Sequence, residues 1–254
     1  MDDATLARLE HENMLDWLRI AFAQVPGAVV RFEDGVAVSA TGLPAPFFNQ
    51  VVTDDGAGRE ALAAAVALLR ERGAPFCVVL RRDQDARFSA LMGELGLTLD
   101  EGIMPGMALD PIPAGLPTTA PGLDLRLVGD ADALRDHAVV AAHGFGLPEA
   151  AGLAFIGDEL WARDGATVYT GYADDRPVTS GFSIRSGDTL GIFTIATEPD
   201  ARGRGYGAAM TGRLIADGAA AGCTIAALQA SAMGRPIYER LGFRLVQEYD
   251  VYLG

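Results

Sequence analysis

The sequence is poor in cysteine, in basic residues and in long apolar runs. Its 254 residues include only two cysteines, Cys77 and Cys223, too few for a disulfide framework or a cysteine zinc site. Lys and Arg number 20 against 34 Asp and Glu, a formal net charge of -14, which opposes binding to nucleic acid. No apolar stretch reaches the ~20 residues that a membrane span requires. A cationic small molecule remains a compatible partner.

The composition is otherwise that of a globular protein. Half of the residues are apolar, so the chain can bury a sizeable core as one large domain or two small ones. The N-terminal stretch MDDATLARLEHENMLDWLRIAF spaces its apolar residues as an amphipathic helix does. It does not resemble a signal peptide. We therefore expect a cytoplasmic protein.

A stretch rich in proline, glycine and threonine divides the chain. It reads DPIPAGLPTTAPG from Asp110 to Gly122, a composition that suits neither helix nor strand. We predict a first domain over residues 1–110, a linker over 111–121 and a second domain over 122–254.

The two halves resemble each other when one is slid over the other by 146 residues. This offset aligns Asp54 with Asp200, Cys77 with Cys223 and Gly96 with Gly242. The helix, turn and strand patterns also agree, as in ALAAAVALLRERGAPFCVVLRR and GAAMTGRLIADGAAAGCTIAALQ. The alternative is coincidence between two alanine-rich stretches, because identities are few.

The second half alternates strands with helices. Its patterns predict strands near residues 123–128, 166–174, 177–189, 190–197, 224–230 and 244–253, and helices near 129–143, 207–220 and 236–241. This alternation is typical of an α/β fold with a mixed, centrally parallel sheet flanked by helices.

A glycine-rich turn lies between a predicted buried strand and a predicted helix. It reads EPDARGRGYGAAM from Glu198 to Met210. A helix that follows such a turn presents unpaired backbone N–H groups and a positive dipole end to an anion. Glycines at 203, 205 and 207 permit positive φ angles that aim successive amides at one point. Neither the P-loop nor the G-x-G-x-x-G spacing fits.

The turn resembles the pyrophosphate loop of the GNAT superfamily of N-acetyltransferases, whose pattern R-x-x-G-x-G is matched by Arg202, Gly205 and Gly207. The later segment QASAMGRPIYERLGF, residues 229–243, resembles the family's strand, short tyrosine-bearing helix and closing Gly-Phe. The resemblance covers about residues 123–254. It implies that acetyl-CoA is the co-substrate and that the chain consists of two GNAT-like halves in tandem.

The resemblance also implies roles for individual residues. The backbone amides of Ile195 and Thr197, on a strand splayed at a bulge, would take the thioester and the pantetheine arm. The CoA-binding turn would comprise Arg202, Gly203, Arg204, Gly205, Tyr206 and Gly207. Ser231 stands where the family often has asparagine, which leaves its contact with pantetheine open. Tyr238 would be the general acid, with an amphipathic core tyrosine as the alternative.

The first half resembles a degenerate copy of the same fold. At the offset of 146, DDGAGRE replaces the glycine turn, so Gly56 aligns with Arg202 and Met92 aligns with Tyr238. We therefore expect the first half to bind no CoA and to have a structural or substrate-shaping role.

A general base is the harder residue to assign. An amine with a pKa of about 10.4 is neutral at pH 7 in only about one molecule in 2,500, a cost of about 4.6 kcal/mol. Glu198, at the end of the bulged strand, is the first candidate, although a solvated strand-end glutamate is an equal alternative. His143, in the acceptor-facing segment AAHGFGLPEA, is the second.

The sequence thus predicts an acetyl-CoA-dependent N-acetyltransferase that acts on a primary amine of a small molecule or peptide. Direct attack is preferred because no cysteine or serine with an evident base lies near the turn. The alternative is a non-catalytic CoA-binding regulatory or scaffolding protein. A longer acyl donor, a homodimer and the identity of the acceptor stay open, and no metal site is predicted.

Overall fold

The computed structural model describes residues 1–100, 104–156 and 163–254. Its helices are α1 (Asp3–Ala21), α2 (Arg59–Arg72), α3 (Ser89–Glu94), α4 (Ala131–Gly144), α5 (Glu149–Phe155), α6 (Tyr206–Ala220) and α7 (Arg235–Arg240). Its strands are β1 (Val29–Glu33), β2 (Val36–Ala40), β3 (Asn49–Thr53), β4 (Cys77–Arg81), β5 (Thr98–Leu99), β6 (Met104–Leu109), β7 (Asp124–Leu127), β8 (Ala166–Ala173), β9 (Arg176–Ser186), β10 (Thr189–Thr197), β11 (Ile225–Gln229) and β12 (Arg244–Leu253). The helices and strands predicted for the second half are present, with ends that differ by about three residues at most.

The strands form one sheet. Its order is β1-β2-β3-β4-β12-β6-β11-β10-β9-β8-β7, with β5 beside β12. Strands β3 and β4 run parallel, as do β10 and β11; the remaining neighbours described are antiparallel. The predicted mixed α/β sheet is confirmed, and each half contains one parallel pair. No helix in the described ranges is long and apolar enough to span a bilayer.

The two halves exchange their last strands. Strand β6, which ends the first half, lies between β11 and the first part of β12, with Leu109 opposite Ala226. The last part of β12 pairs instead with β4 and β5 of the first half, with Leu253 opposite Cys77. Each half therefore completes its part of the sheet with a strand from the other.

The repeat seen in the sequence recurs in the helices. Helix α3 covers residues 89–94 and α7 covers residues 235–240, a separation of 146 at both ends. Helices α2 and α6 lie at nearly the same separation. The parallel pairs β3–β4 and β10–β11 precede and follow these helices in the same order, which supports a duplicated arrangement.

Helix α1 packs across the middle of the sheet. It begins after Asp2, whose carboxylate caps the Thr5 amide, and contacts β6, β10, β11 and β12. Its Trp17 ring stacks on Phe193 with centroids 4.5 Å apart. Aromatic contacts with Phe155 join α1 to α5 in the same core. The first helix is thus buried against the second half as well as the first.

A buried polar cluster lies beneath α1 where the strands exchange. The Glu10 carboxylate is fully buried and accepts hydrogen bonds from the Tyr249 hydroxyl, at 2.7 Å, and from the Gln229 side chain. A Cβ at Gly106 would come within 2.6 Å of this carboxylate, so glycine on β6 leaves room for the Glu10 side chain. Burial raises the pKa of Glu10 to about 7, against the lowering effect of its two hydrogen bonds.

We predict that Glu10→Gln changes the pH dependence of stability. A carboxyl whose pKa rises from 4.5 to about 7 on folding binds more protons folded than unfolded, so wild-type stability falls as pH rises through this window. The variant lacks this loss. Its free energy of unfolding relative to wild type should rise from pH 4.5 to pH 7 by on the order of 3 kcal/mol and then level off.

Urea unfolding between pH 4.5 and 8 measures this difference. The matched control is Glu12→Gln, because Glu12 lies on the same helix with its side chain 52% exposed and should give a nearly flat difference. A difference between Glu10→Gln and wild type that does not vary with pH would show that Glu10 titrates normally.

Candidate active site

A gap opens between β10 and β11 in the second half. The two parallel strands pair only from Thr189 opposite Ile225 to Gly191 opposite Ala227. Beyond this point β10 continues to Thr197 and β11 to Gln229 without pairing to each other. Backbone groups that would normally complete the ladder therefore border an opening inside the sheet.

A bulge in β10 faces this gap. The register between β9 and β10 jumps from Phe193 to Ala196, and Thr194 has a φ of 51°. The bulge that the resemblance implied on this strand is present. After the bulge, the Glu198 amide donates to the Val178 carbonyl of β9 at 2.9 Å, and alternate residues of a strand direct their amides to opposite sides. The amides of Ile195 and Thr197 are therefore on the side of the gap.

The glycine turn closes one end of the gap. Gly203 and Gly205 have φ angles of 78° and 83°, conformations that favour glycine. Gly205 precedes α6, so the first amides of that helix, including those of Tyr206 and Gly207, have no partner within the helix. The expectation of a positive φ was wrong for Gly207, which lies inside the first helical turn. Its missing Cβ leaves space beside Thr197 and Ile195, at 3.7 and 3.9 Å.

The two arginines of the turn differ in their surroundings. The Arg202 guanidinium donates to the carbonyl of Thr197 at 3.2 Å and to that of Gly144 at 2.9 Å. It therefore ties the turn to β10 and to the end of α4. Arg204 is exposed to solvent. Tyr206 is buried against Val178 and anchors the start of α6.

Tyr238, on α7, packs in the apolar core of the second half, which also contains Ile192 of β10 and Leu228 of β11. Its side chain is 8% exposed and its ring packs against Phe243, 5.8 Å away. No side chain or backbone group in the described ranges hydrogen-bonds to its hydroxyl. Burial raises the pKa of Tyr238 to about 12, so the phenol keeps its proton at neutral pH.

Ser231 lies at the end of β11, before α7. Its hydroxyl accepts a hydrogen bond from the Gly234 amide at 3.1 Å. The same Gly234 is packed closely against the ring of Tyr238. Ser231 therefore shapes the turn that carries the tyrosine, and its exposed position also leaves it open to a ligand.

The two candidate bases lie together. Oxygen Oε1 of Glu198 is 2.8 Å from Nδ1 of His143, and Nε2 of the same ring is 3.0 Å from Glu149. Both contacts can be made at once only by the protonated imidazole, which has two donors. The hydrogen bond to Glu198 raises the pKa of His143, and the weaker bond to Glu149 adds to the effect.

Sequence reasoning named both residues but did not pair them. They are 55 positions apart, and neither carries a motif. It also missed Gly144, where a Cβ would come within 2.6 Å of the Ala196 side chain and 3.2 Å of the Thr197 amide. This close approach lets the end of α4 reach β10. The segment HGFG was the available signal, since a helix that ends on glycine often packs tightly.

The corresponding place in the first half is filled. Strands β3 and β4 pair only as far as Val52 opposite Val79. Beyond this point the Thr53 hydroxyl donates to Asp85 at 2.7 Å, and the Arg81 guanidinium donates to the same carboxylate at 2.8 Å. Asp85 is fully buried. A hydrogen-bonded ion pair therefore lies where β3 and β4 stop pairing.

Comparison with known proteins gives one domain match and many structural matches. Residues 162–245 match the profile of the acetyltransferase (GNAT) domain. No curated protein matches the chain at a significant level.

The structural matches extend over the whole chain. A GCN5-related N-acetyltransferase from Kribbella flavida has a TM-score of 0.69 at 16% identity, over 98% of this chain and 95% of its own. One from Sphaerobacter thermophilus has a TM-score of 0.63 at 15% identity, over 96% and 84%. A tandem GNAT protein from the clavulanic acid biosynthesis pathway has a TM-score of 0.58 at 13% identity, over 97% and 95%. Residues 162–245 thus match a GNAT acetyltransferase domain, and the chain as a whole has the fold of solved GNAT N-acetyltransferases.

Proposed function

We propose that the second half is an acetyl-CoA-dependent N-acetyltransferase that acts by direct attack of a primary amine of a small molecule or peptide. The observation that carries this proposal is the gap between β10 and β11. It is bordered by the amides of β10 and by a glycine turn at the start of α6, and Tyr238 lies in the core that includes residues of β10 and β11. This arrangement would provide an anion site, an oxyanion site and a proton donor around one cleft.

The residues of the cleft fit CoA in three ways. The first amides of α6, with Gly203 and Gly205, would bind the pyrophosphate. The absence of a side chain at Gly207 would leave room for the pantetheine arm beside β10. The amides of Ile195 and Thr197 would bind its polar groups and polarise the thioester carbonyl.

Acetyl-CoA supplies an activated thioester carbonyl, and the amine forms an amide bond to it as the carbon–sulfur bond breaks. Glu198, directly or through water, would take a proton from the amine. Tyr238 would give its proton to the departing thiolate. The buried phenol with its raised pKa is a weak acid, so the transfer depends on the basicity of the thiolate as it forms.

Cysteine chemistry is not favoured. Burial raises the pKa of the Cys77 thiol to about 12 and raises that of Cys223 as well. Neither thiol is therefore activated as a nucleophile. This supports transfer without an acetyl-enzyme intermediate.

The first half would bind no CoA and would act as a structural or substrate-shaping partner. Its counterpart of the cleft is occupied by the Arg81–Asp85 pair, and Met92, fully buried, lies where the second half has Tyr238. We retain residues 1–110 and 122–254 as the two repeat units, with 111–121 as the linker between them.

Gly207→Asp is expected to abolish CoA binding while the protein stays folded. The backbone at Gly207 accepts a Cβ without strain, and a carboxylate in the first turn stabilises a helix. The same carboxylate would repel the pyrophosphate. Calorimetry should show at least a hundredfold loss of CoA affinity with no fall in melting temperature.

Gly58→Asp is the matched control for this variant. Gly58 caps the start of α2 in the first half, and a Cβ there meets nothing within 4 Å. The CoA affinity of the Gly58→Asp variant should equal that of wild type. If both variants lose CoA affinity equally, or if neither loses any, the assignment of the CoA site to the turn before α6 is contradicted.

Tyr238→Phe is expected to reduce turnover and leave CoA binding intact. The substitution removes only a hydroxyl that no described group satisfies, so packing against Phe243 is preserved. Loss of general-acid catalysis typically lowers kcat by 10²–10⁴-fold. Steady-state kinetics with an amine panel, together with CoA calorimetry, measures both effects. If the variant keeps the wild-type kcat, Tyr238 serves in packing and not as the general acid.

Glu198→Gln is expected to lower kcat/KM by about a hundredfold or more. It should also lower the pKa of His143 towards its ordinary value, because the hydrogen bond that His143 donates to Glu198 is the main cause of its rise. NMR titration of the histidine ring and a pH–rate profile measure these changes. If the Glu198→Gln variant stays active and the acidic limb of its pH–rate profile moves to lower pH, His143 rather than Glu198 is the base.

Glu149→Gln is the matched control for this pair. Glu149 contacts the other nitrogen of the same ring but is 54% exposed. Its variant should keep most of the activity. If Glu149→Gln and Glu198→Gln lose activity equally, the carboxylates act only by holding the ring.

A further inference from the structure

Two exposed aromatic rings meet where the halves adjoin. Phe47, from the segment before β3, is 42% exposed, and Phe145, which follows α4, is 48% exposed. Their ring centroids are 6.4 Å apart with an interplanar angle of 50°. Large aromatic rings that remain half exposed and adjacent form an apolar surface that favours being covered. The pair contains one ring from each half, so neither half provides this surface alone.

The backbone on both sides of the pair is firmly held. Phe47 contacts Phe48, whose ring is 2% exposed and lies 4.2 Å away. The Gln50 side chain donates to the Phe47 carbonyl at 2.7 Å. Phe145 caps α4 through its amide, which donates to the Ala141 carbonyl at 3.1 Å. The surface is therefore preformed and costs little entropy to use in binding.

The same loop connects this pair to the proposed base. Phe145 follows His143 by two residues and precedes Glu149 by four. Between them Gly144 lies against Ala196 and the amide of Thr197, on the strand that borders the gap. The segment at the end of α4 therefore carries both Phe145 and His143 where it meets β10.

The charges of the cluster favour a cation. Glu149 and Glu198 flank a single imidazole, so the group keeps a negative charge even when His143 is protonated. The chain as a whole has a formal net charge of -14. A molecule that covers the aromatic pair and reaches this cluster would pair an apolar body with a positive amine.

We propose that the acceptor is a primary amine carrying an aromatic or similarly broad apolar group, which packs on Phe47 and Phe145 while its amine reaches Glu198. This inference rests on the proposed function for the identity of the reacting group. The first half then takes part in selecting the acceptor, because Phe47 belongs to it.

The test measures binding in the absence of turnover. Calorimetry on the protein saturated with CoA, which carries no acetyl group, compares 2-phenylethylamine with ethylamine. We expect 2-phenylethylamine to bind at least tenfold more tightly than ethylamine. Phe47→Ala and Phe145→Ala should each weaken its binding by about fivefold or more while leaving ethylamine unchanged. Phe145→Leu should retain part of the preference, because it keeps an apolar surface.

Leu127→Ala is the control, because Leu127 is 60% exposed on β7 and should change neither affinity. Equal binding of both amines by wild type, or an unchanged preference in both alanine variants, would overturn the inference. A wild-type dimer in sedimentation velocity that Phe145→Ala converts to monomer would also overturn it, because a second copy would then cover the rings. Failure of acetyl transfer to any amine would contradict the proposed function, while the calorimetric preference would still report on the aromatic surface.

Discussion

The separation of β10 from β11 is the constraint on which the second half depends. Two parallel strands that stop pairing inside a sheet leave amides and carbonyls without their usual partners. Such a gap persists only if neighbouring groups hold it open. Here the bulge at Thr194 turns β10 aside, and Arg202 donates to the Thr197 carbonyl at the end of β10 and to the Gly144 carbonyl of α4. The missing side chain of Gly144 also lets α4 pack against β10. The cleft is therefore built by the backbone, and the side chains around it mainly fix its shape.

In the first half, buried side chains lie where the two parallel strands stop pairing. Strands β3 and β4 also part, yet Asp85 lies between them and accepts from Thr53 and Arg81. A buried carboxylate costs several kcal/mol unless its charge and hydrogen bonds are satisfied, and these partners satisfy it. The first half therefore holds a satisfied ion pair at the point where its two parallel strands stop pairing.

The sequence predicted what is local and missed what joins distant segments. The period of apolar residues located α6 and β10, and the glycines located the turn between them, because each signal lies within a few residues. The strand exchange could not be predicted, since β6 and β12 have the same alternating pattern whichever partner they take. The contact of Glu10 with Tyr249 spans 239 positions, and nothing in either neighbourhood indicates the other. The pairing of His143 with Glu198 was missed for the same reason.

The strand exchange also bears on why the chain keeps a first half. Strand β6 supplies the neighbour that β11 needs on its closed side, so the cleft cannot form from the second half alone without exposing that edge. Helix α1 covers the same strands from one face and buries Glu10 against Gln229, the last residue of β11. One wall of the cleft thus rests on a strand and a helix from the first half. Removal of residues 1–110 would therefore take away both the strand that pairs with β11 and the helix that covers it.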